Sequence, residues 1–198
     1  MSEQQREMLE RINEMQRQLT STWIDYWREY SSFSTWQFWV NVLMFVVPLV
    51  VLFMILDKRR ALQIGFFGYS VHVLFTYIDS ISHRFGYGQY PYQMVPFTSG
   101  NLGLDSSFVP VVYMLLYQWT LAGRRNYYVY GTLLSLLLAF VFKPLISSIH
   151  LFEPTNGMRY SHLFLGYMAI MLFSKWVTKL FVWLQGKGAN DGSPMKVQ

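Results

Sequence analysis

The 198-residue sequence lacks cysteine altogether and is poor in charge, with charged residues at only 14% of its positions. Without cysteine, the chain cannot form disulfides, bind a metal through thiolates or use a cysteine nucleophile. A soluble domain carries about 25% charged residues. The charges present here fall mostly in short clusters between long apolar runs. This pattern is typical of an integral membrane protein with several spanning helices.

Three further signals are absent. The first 35 residues are polar and contain no apolar core segment, so we expect no cleavable signal peptide. No alternation of polar and apolar residues is sustained over about ten positions, which argues against a membrane β-barrel. We find no nucleophile elbow, no Walker-type phosphate loop and no dinucleotide-binding fingerprint. We therefore predict an all-α membrane protein that is not an enzyme and holds no cofactor.

Five apolar segments predict membrane-spanning helices. A span needs about 20 apolar residues, and only the third segment is short. The segments form a polytopic bundle over residues 36–184 in contact with the lipid bilayer, followed by a disordered tail at 185–198. The predicted spans lie near residues 36–56, 61–80, 106–123, 127–149 and 160–184.

The formal net charge is +5, but the basic residues lie at the ends of the apolar runs. That placement predicts membrane topology rather than nucleic-acid binding. Lysine and arginine cluster at 58–60, at 124–125 and near the C-terminus. Because such residues are enriched on the cytoplasmic side, we predict a multi-pass plasma-membrane protein with its N-terminus outside and its C-terminus in the cytoplasm.

Residues 1–35 predict an amphipathic helix with a narrow apolar stripe. One interpretation is a short coiled coil that pairs with a second copy of the chain or with a partner membrane protein. The other is a helix that lies on the membrane or on its own bundle, which the short, three-heptad stripe favours. The stripe consists of Met8, Ile12, Met15, Leu19, Trp23, Tyr26 and Tyr30.

Ionisable residues converge at the outer end of the predicted bundle, and the candidate polar cluster consists of His72, Asp79, His83, Asp105, Lys143 and Glu153. A lone lysine inside an apolar helix costs about 2.5–3.5 kcal/mol on insertion scales. We therefore expect Lys143 to have an acidic partner, either Asp79 or Asp105 and preferably Asp79, in a buried link between the second and fourth spans. Pro144 follows Lys143, and we expect the helix to kink there.

The connection at 83–107 is rich in glycine, proline and tyrosine. It is too long for a simple turn and too apolar for a solvated loop. We expect a re-entrant or interface-bound segment that covers the end of the bundle. Tyr87, Tyr90 and Tyr92 suit the level of the lipid headgroups.

Three roles for the polar cluster follow from the residues. It can fix the arrangement of the helices, as polar residues do in membrane bundles. It can handle protons or ions through Asp79 and Lys143, although few polar groups continue into the inner half. It can bind a metal through His83 and Asp79, with His150, His162 or Glu153 as a further ligand. The structural role is favoured, so we predict a non-enzymatic membrane scaffold or interaction protein. The alternative is a small transporter or an ion- or proton-handling protein. A metal-dependent membrane enzyme is the least favoured function.

Several stretches taken in order are distinctive: WIDYWREYSSFSTWQFWVN, DKRRALQIGFFG, YID, YPYQMVPF, LDSSFVPVVYMLLYQ and FKPL. Together, over about residues 21–184, they resemble a family of conserved small integral membrane proteins of unknown function from Bacillus-type bacteria. The resemblance implies a bacterial plasma-membrane location and a helix bundle, but no substrate or cofactor. Its motifs include Asp79, Asp105, Tyr117, Gln118, Lys143 and Pro144, which we expect to lie together.

Overall fold

The structure is a computed structural model that describes residues 1–98, 100–123 and 125–190, with only the backbone given for 188–190. It is predominantly helical, with almost no strand, which confirms the predicted all-α bundle. The α-helices are α1 (Glu3–Tyr26), α2 (Trp36–Ile55), α3 (Ala61–Arg84), α4 (Val109–Ala122), α5 (Tyr127–Leu137), α6 (Lys143–Ser148) and α7 (Tyr160–Asn190).

Short irregular elements join these helices. A 3₁₀ turn at Lys58–Arg60 leads into α3, and π-helical turns occupy Trp27–Ser31, Leu104–Phe108 and Leu138–Phe142. The last of these makes α5 and α6 one continuous helix. Strands β1 (Gly88–Gln89) and β2 (Glu153–Pro154) pair antiparallel.

Four helical segments are long and apolar enough to cross a membrane: Trp36–Ile55, Lys58–Arg84, Tyr127–Ser148 and Tyr160–Lys187. The segment predicted at 106–123 forms α4, which has 14 residues and is not among these four. Helix α7 continues past residue 184, where the sequence predicted its end, as far as Asn190. The rest of the predicted tail, 191–198, lies outside the described residues.

The core lies between α3, α4, α5 and α7 and is rich in aromatic side chains. The rings of Phe67 and Tyr117 stack with 4.3 Å between centroids. A Cβ atom on Gly68 would overlap the side chain of Met114. This glycine therefore permits the close approach of α3 and α4 that small residues provide in membrane bundles.

Helix α2 joins this core from one side and is held largely by polar contacts. Most of its apolar surface is exposed, and Asn41 is its one fully buried residue among those the structure describes. The Ser107 hydroxyl donates a 2.6 Å hydrogen bond to the backbone oxygen of Phe45. An exposed apolar surface on a long helix is what contact with lipid requires.

Gln118 fastens the other end of α2. Its amide accepts from the backbone N–H of Asp57 at 2.8 Å and donates to the backbone oxygen of Ile55 at 2.9 Å. The Gln63 amide donates to the Tyr117 hydroxyl nearby. Tyr117 and Gln118 therefore lie beside the basic turn at 58–60, which we call the basic end of the bundle. The expectation that they lie with the predicted polar cluster is wrong, because α4 carries them to this opposite end.

Residues 85–98 and 100–103 cover the other end, which we call the loop end. The segment is fastened by a hydrogen bond from the Asn101 amide to the Asn41 side-chain oxygen at 2.6 Å. Asn41 in turn donates to the backbone oxygen of Tyr92 at 2.9 Å. The segment packs on the bundle and does not extend away from it, as its apolar composition predicted.

The three tyrosines of this segment have different surroundings. Tyr87 is 44% exposed, whereas Tyr90 is only 1% exposed. Tyr90 therefore does not face the surroundings of the bundle, because its ring packs against Phe152 inside the fold.

Helix α1 begins at an N-cap, Ser2, whose hydroxyl accepts from the Gln5 N–H. It has no buried residue. Its C-terminal end contacts the loop end, where the Trp23 ring lies 6.1 Å from that of His83. The Trp27 indole N–H donates to the backbone oxygen of Gln93 at 2.9 Å. Helix α1 is thus anchored at one end only.

Candidate functional site

A buried chain of hydrogen bonds links Lys143 to Asp79 at the loop end. The Lys143 ammonium donates to the Tyr90 hydroxyl at 3.2 Å, and that hydroxyl donates to Oδ1 of Asp79 at 2.8 Å. Lys143 is 1% exposed. Asp79 and Lys143, expected to form a buried link between two spans, are thus joined through the Tyr90 hydroxyl, which the sequence did not indicate. We call Asp79, Tyr90, Asp105 and Lys143 the polar cluster.

Tyr90 is suited to this bridging position. Burial, together with the neighbouring Asp79 and Asp105, raises the pKa of Tyr90 well above its usual range. The hydroxyl therefore keeps its proton and can accept from the ammonium while it donates to the carboxylate. Hydrogen bonds to charged groups are shorter and about twice as strong as neutral ones.

Local helix geometry positions the charged residues. Asp105 lies within one π-helical turn, and Lys143 directly follows another. A proline comes soon after each, Pro110 and Pro144. A proline removes a backbone N–H donor, and its ring clashes with the preceding turn of an ordinary α-helix. A π-helical turn is wider than an α-helical turn, so it accommodates both the missing hydrogen bond and the ring. The kink expected at Pro144 stays a prediction, and the π-helical turn directly before Lys143 is the irregularity that the structure shows there. Such turns occur often at functional sites.

Aromatic rings surround the Lys143 ammonium. Its Nζ atom lies 3.8 Å from the centroid of the Phe152 ring and 5.1 Å from that of Tyr90. Such cation–π contacts compensate for part of the lost hydration. Among the described residues, the Tyr90 hydroxyl is the one hydrogen-bond acceptor recorded for this ammonium. Two of its three N–H groups therefore have no acceptor within that part of the chain.

Asp79 and Asp105 form an acidic pair. A Cβ atom on Gly100 would overlap Oδ2 of both residues, so the two oxygens lie against the same glycine. Oδ2 of Asp79 and Oδ1 of Asp105 have no hydrogen-bond partner among the described residues. The His72 ring donates from Nδ1 to the backbone oxygen of Asp105 at 2.8 Å, which fixes the position of that residue.

The remaining two candidates lie at the same end but outside the polar cluster. His83 donates from Nδ1 to the backbone oxygen of Gly88 at 3.3 Å. Glu153, on β2, accepts from His150 at 3.0 Å. Both help to hold the β1–β2 ribbon. No group of three His, Cys, Asp or Glu residues that could hold a metal ion occurs in the part of the chain that the structure describes.

A cavity of about 360 Å³ borders the polar cluster between α3 and α7. Asp79 and Lys143 form part of its wall, and His162 lines it near the start of α7. Phe75 and Tyr167, whose rings stack at 5.6 Å, line it deeper in the bundle. The Tyr167 hydroxyl is buried and has no partner among the described residues.

Polar side chains farther along the bundle bond locally. Ser70 donates to the backbone oxygen of Phe66 on its own helix. Ser135 and Tyr113 bond to each other at 2.7 Å. These groups do not extend the polar cluster towards the basic end.

No family model, no curated protein and no solved structure matches the chain. The resemblance to a family of small Bacillus-type membrane proteins stays a prediction. The function is therefore inferred from the geometry of this molecule alone.

Proposed function

We propose that the protein is a non-enzymatic membrane scaffold that self-associates through α1. The observation that carries this proposal is the exposed apolar stripe of α1. Met8, Ile12, Met15 and Leu19 are 66%, 47%, 52% and 51% exposed. Their spacing of four, three and four residues is that of a two-stranded coiled coil. A helix that leaves such a stripe uncovered is expected to bury it against another chain.

The polar cluster supports this role because it fixes the loop that holds α1. Lys143 binds Tyr90, and three residues later Gln93 binds the segment that follows α1. The Gln93 backbone N–H donates to the Ser31 hydroxyl at 2.7 Å, and the Gln93 oxygen accepts from Trp27. A continuous set of contacts thus runs from the buried lysine to the base of the exposed helix.

A second copy is a better partner for the stripe than an anionic lipid surface. Helix α1 contains more acidic than basic residues, whereas helices that lie on anionic membranes are rich in lysine and arginine. Glu14 and Arg17 also neutralise each other through a 2.7 Å bond. The helix therefore has no net positive charge with which to attract lipid headgroups.

Charge placed on the stripe tests this proposal. Ile12→Glu with Leu19→Glu puts two like charges on the stripe, while Asn13→Glu with Ser21→Glu adds the same charges to other faces of α1. We expect the purified wild-type chain and the control to be oligomeric in detergent by light scattering, and the stripe variant to be monomeric. A monomeric wild type, or an unchanged mass for the stripe variant, would refute self-association.

Proton or ion handling is the second candidate, favoured by the unpartnered oxygens of the acidic pair. Buried ionisable groups in membrane proteins often lie on ion or proton pathways. The test is ion or proton flux into liposomes that contain the protein. Flux that is lost in Asp79→Asn would support this candidate, and no flux under any imposed gradient would count against it.

The proposed location is a bacterial plasma membrane, with several spans and the N-terminus outside. The lack of cysteine allows single cysteines to report on this topology. A membrane-impermeant maleimide added to intact cells should label Ser2→Cys but not Lys58→Cys. The reverse pattern would invert the orientation, and labelling of both would contradict the span count.

A further inference from the structure

We infer that the cavity between α3 and α7 binds an uncharged amphiphile, a molecule with one alkyl chain and a hydroxyl-bearing head, such as a monoacylglycerol. This inference is independent of self-association. It rests on the shape of the cavity, its unpartnered polar groups and the charge of the polar cluster.

The cavity has the size and lining of a small-molecule site. Its volume of about 360 Å³ lies within the range of about 300–1,000 Å³ that is usual for ligand pockets. Most of its lining is apolar, including Phe75, Ile78 and Ile170. Such walls suit an alkyl chain, and the few polar groups suit a single head.

Three polar groups on the wall lack full hydrogen bonding within the described residues. The Tyr167 hydroxyl has no partner, although this residue is only 2% exposed. Oδ2 of Asp79 has no partner, and the Lys143 ammonium has two spare N–H groups. Buried polar groups are normally paired. A hydroxyl can accept from the ammonium and donate to a carboxylate or phenol, so it supplies what these groups lack.

Charge selects an uncharged head. Burial and the neighbouring Asp79 raise the pKa of Asp105 well above its usual range. With Asp105 protonated, the Asp79 carboxylate balances the Lys143 ammonium in the polar cluster. An anionic head would add an uncompensated negative charge at low dielectric, and a cationic head would add an uncompensated positive charge beside Lys143, which lines the cavity. A hydroxyl-bearing head avoids both penalties.

Gly166 provides a specific way to fill the cavity. It lies on the cavity wall, and a Cβ atom there would have no neighbour within 4 Å. The Cβ of a side chain at position 166 therefore meets no described protein atom, and Gly166→Leu adds bulk at the cavity wall. Gly65 is equally free of contacts but does not line this cavity, so Gly65→Leu is a matched control. Gly166→Ala adds one methyl group and provides a milder, intermediate variant.

The test is photolabelling of the full chain in phosphatidylcholine nanodiscs with a monoacylglycerol that carries a diazirine on its acyl chain. We expect adducts on the facing segments 75–82 of α3 and 162–170 of α7. Labelling should fall about ten-fold or more in Gly166→Leu, fall partly in Gly166→Ala and persist in Gly65→Leu. Thermal unfolding of each variant checks that it is folded. If Gly166→Leu does not fold, the labelling of Gly166→Ala tests whether the cavity is the binding site.

Competition with unlabelled amphiphiles identifies the charge of the head that the cavity prefers. Unlabelled monoacylglycerol should displace the probe, whereas a fatty acid anion and an alkylammonium of equal chain length should displace it about ten-fold less well. Labelling spread evenly over the lipid-facing helices, or unaffected in both Gly166 variants, would overturn the site. Equal or better competition by either charged amphiphile would overturn the assignment of an uncharged head.

Discussion

Replacing Tyr90 by phenylalanine removes one oxygen atom and tests whether the bridge stabilises the fold. The variant keeps the ring, which packs against Phe152 and lies 5.1 Å from the Lys143 ammonium. It deletes the hydrogen bond from Lys143 and the hydrogen bond to Asp79 together. The change therefore separates the hydroxyl from the packing and cation–π contributions of the ring.

The expected loss follows from these two bonds. A hydrogen bond to a charged group contributes about 1.5–3 kcal/mol, whereas bonds between membrane helices average only about 0.6 kcal/mol because the unfolded chain in the bilayer also finds partners. Both bonds here involve a charged group, and Lys143 has no other recorded acceptor among the described residues. We therefore expect Tyr90→Phe to lower the free energy of unfolding by about 3 kcal/mol.

The assay is reversible unfolding of the purified chain in mixed micelles with a rising fraction of SDS, followed by tryptophan fluorescence. Tyr87→Phe is the matched control, because Tyr87 is 44% exposed and belongs to the same segment. Its free energy of unfolding should stay within about 0.5 kcal/mol of the wild type. Asp79→Asn and Lys143→Met should each destabilise by about 3–5 kcal/mol, because each leaves a buried charge without its partner.

A double-mutant cycle completes this test. Asp79→Asn combined with Lys143→Met should cost less than the sum of the two, and Tyr90→Phe in that background should cost less than about 1 kcal/mol. An equal effect of Tyr90→Phe and Tyr87→Phe would refute the bridge as a source of stability. An unchanged cost of Tyr90→Phe without the two charges would show that its effect comes from packing.

Three further predictions concern other parts of the fold. Gly100→Ala should lower the free energy of unfolding by about 1–3 kcal/mol, because its methyl group overlaps the acidic pair. Gly65→Ala lies in open space within α3 and should raise the free energy of unfolding by about 0.5–1 kcal/mol. Unfolding in SDS measures both changes. Gln118→Leu should lose its two bonds to the end of α2 and destabilise by about 2 kcal/mol, with faster hydrogen exchange at the basic end and unchanged exchange at the loop end. Trp27→Phe should remove the bond to Gln93 and speed proteolysis within residues 1–30, while the unfolding of the bundle changes little.

The helical part of this fold could be predicted from the sequence because its signals are local. Long apolar runs give the spanning helices, and a helix rise of about 1.5 Å per residue places Asp79 and Lys143 at the same end. Asp105 and Gln118 are separated by 13 positions, so the same rise per residue places them about 20 Å apart along the helix axis. The position of Gln118 at the basic end therefore followed from helix geometry, although the motif pattern suggested otherwise.

The bridge could not be predicted in the same way. Tyr90 and Lys143 are 53 residues apart, and Tyr90 lies in an irregular segment with no periodicity to fix its direction. Tyr87 and Tyr90 share the same glycine-rich surroundings in sequence, yet one is exposed and the other is buried. Which of them enters the bundle depends on the pairing of β1 with β2, a contact between distant parts of the chain. The need of Lys143 for a partner was predictable, but the identity of that partner was not.

Replacing Asp105, the second acid of the polar cluster, tests whether the cluster is purely structural or has a further role. Tyr90 needs one carboxylate, and Asp79 supplies it. Asp105 places a second carboxyl group against the same glycine, and its Oδ1 has no partner among the described residues. If the cluster only fixes the loop, Asp105→Asn should remove the cost of burying a second ionisable acid, keep or raise the free energy of unfolding, and leave flux and amphiphile labelling unchanged. If the free energy of unfolding is kept but flux or labelling is lost, Asp105 is retained at a cost in stability, as functional residues often are. A strongly destabilised Asp105→Asn would show instead that the Asp105 carboxyl group itself stabilises the fold.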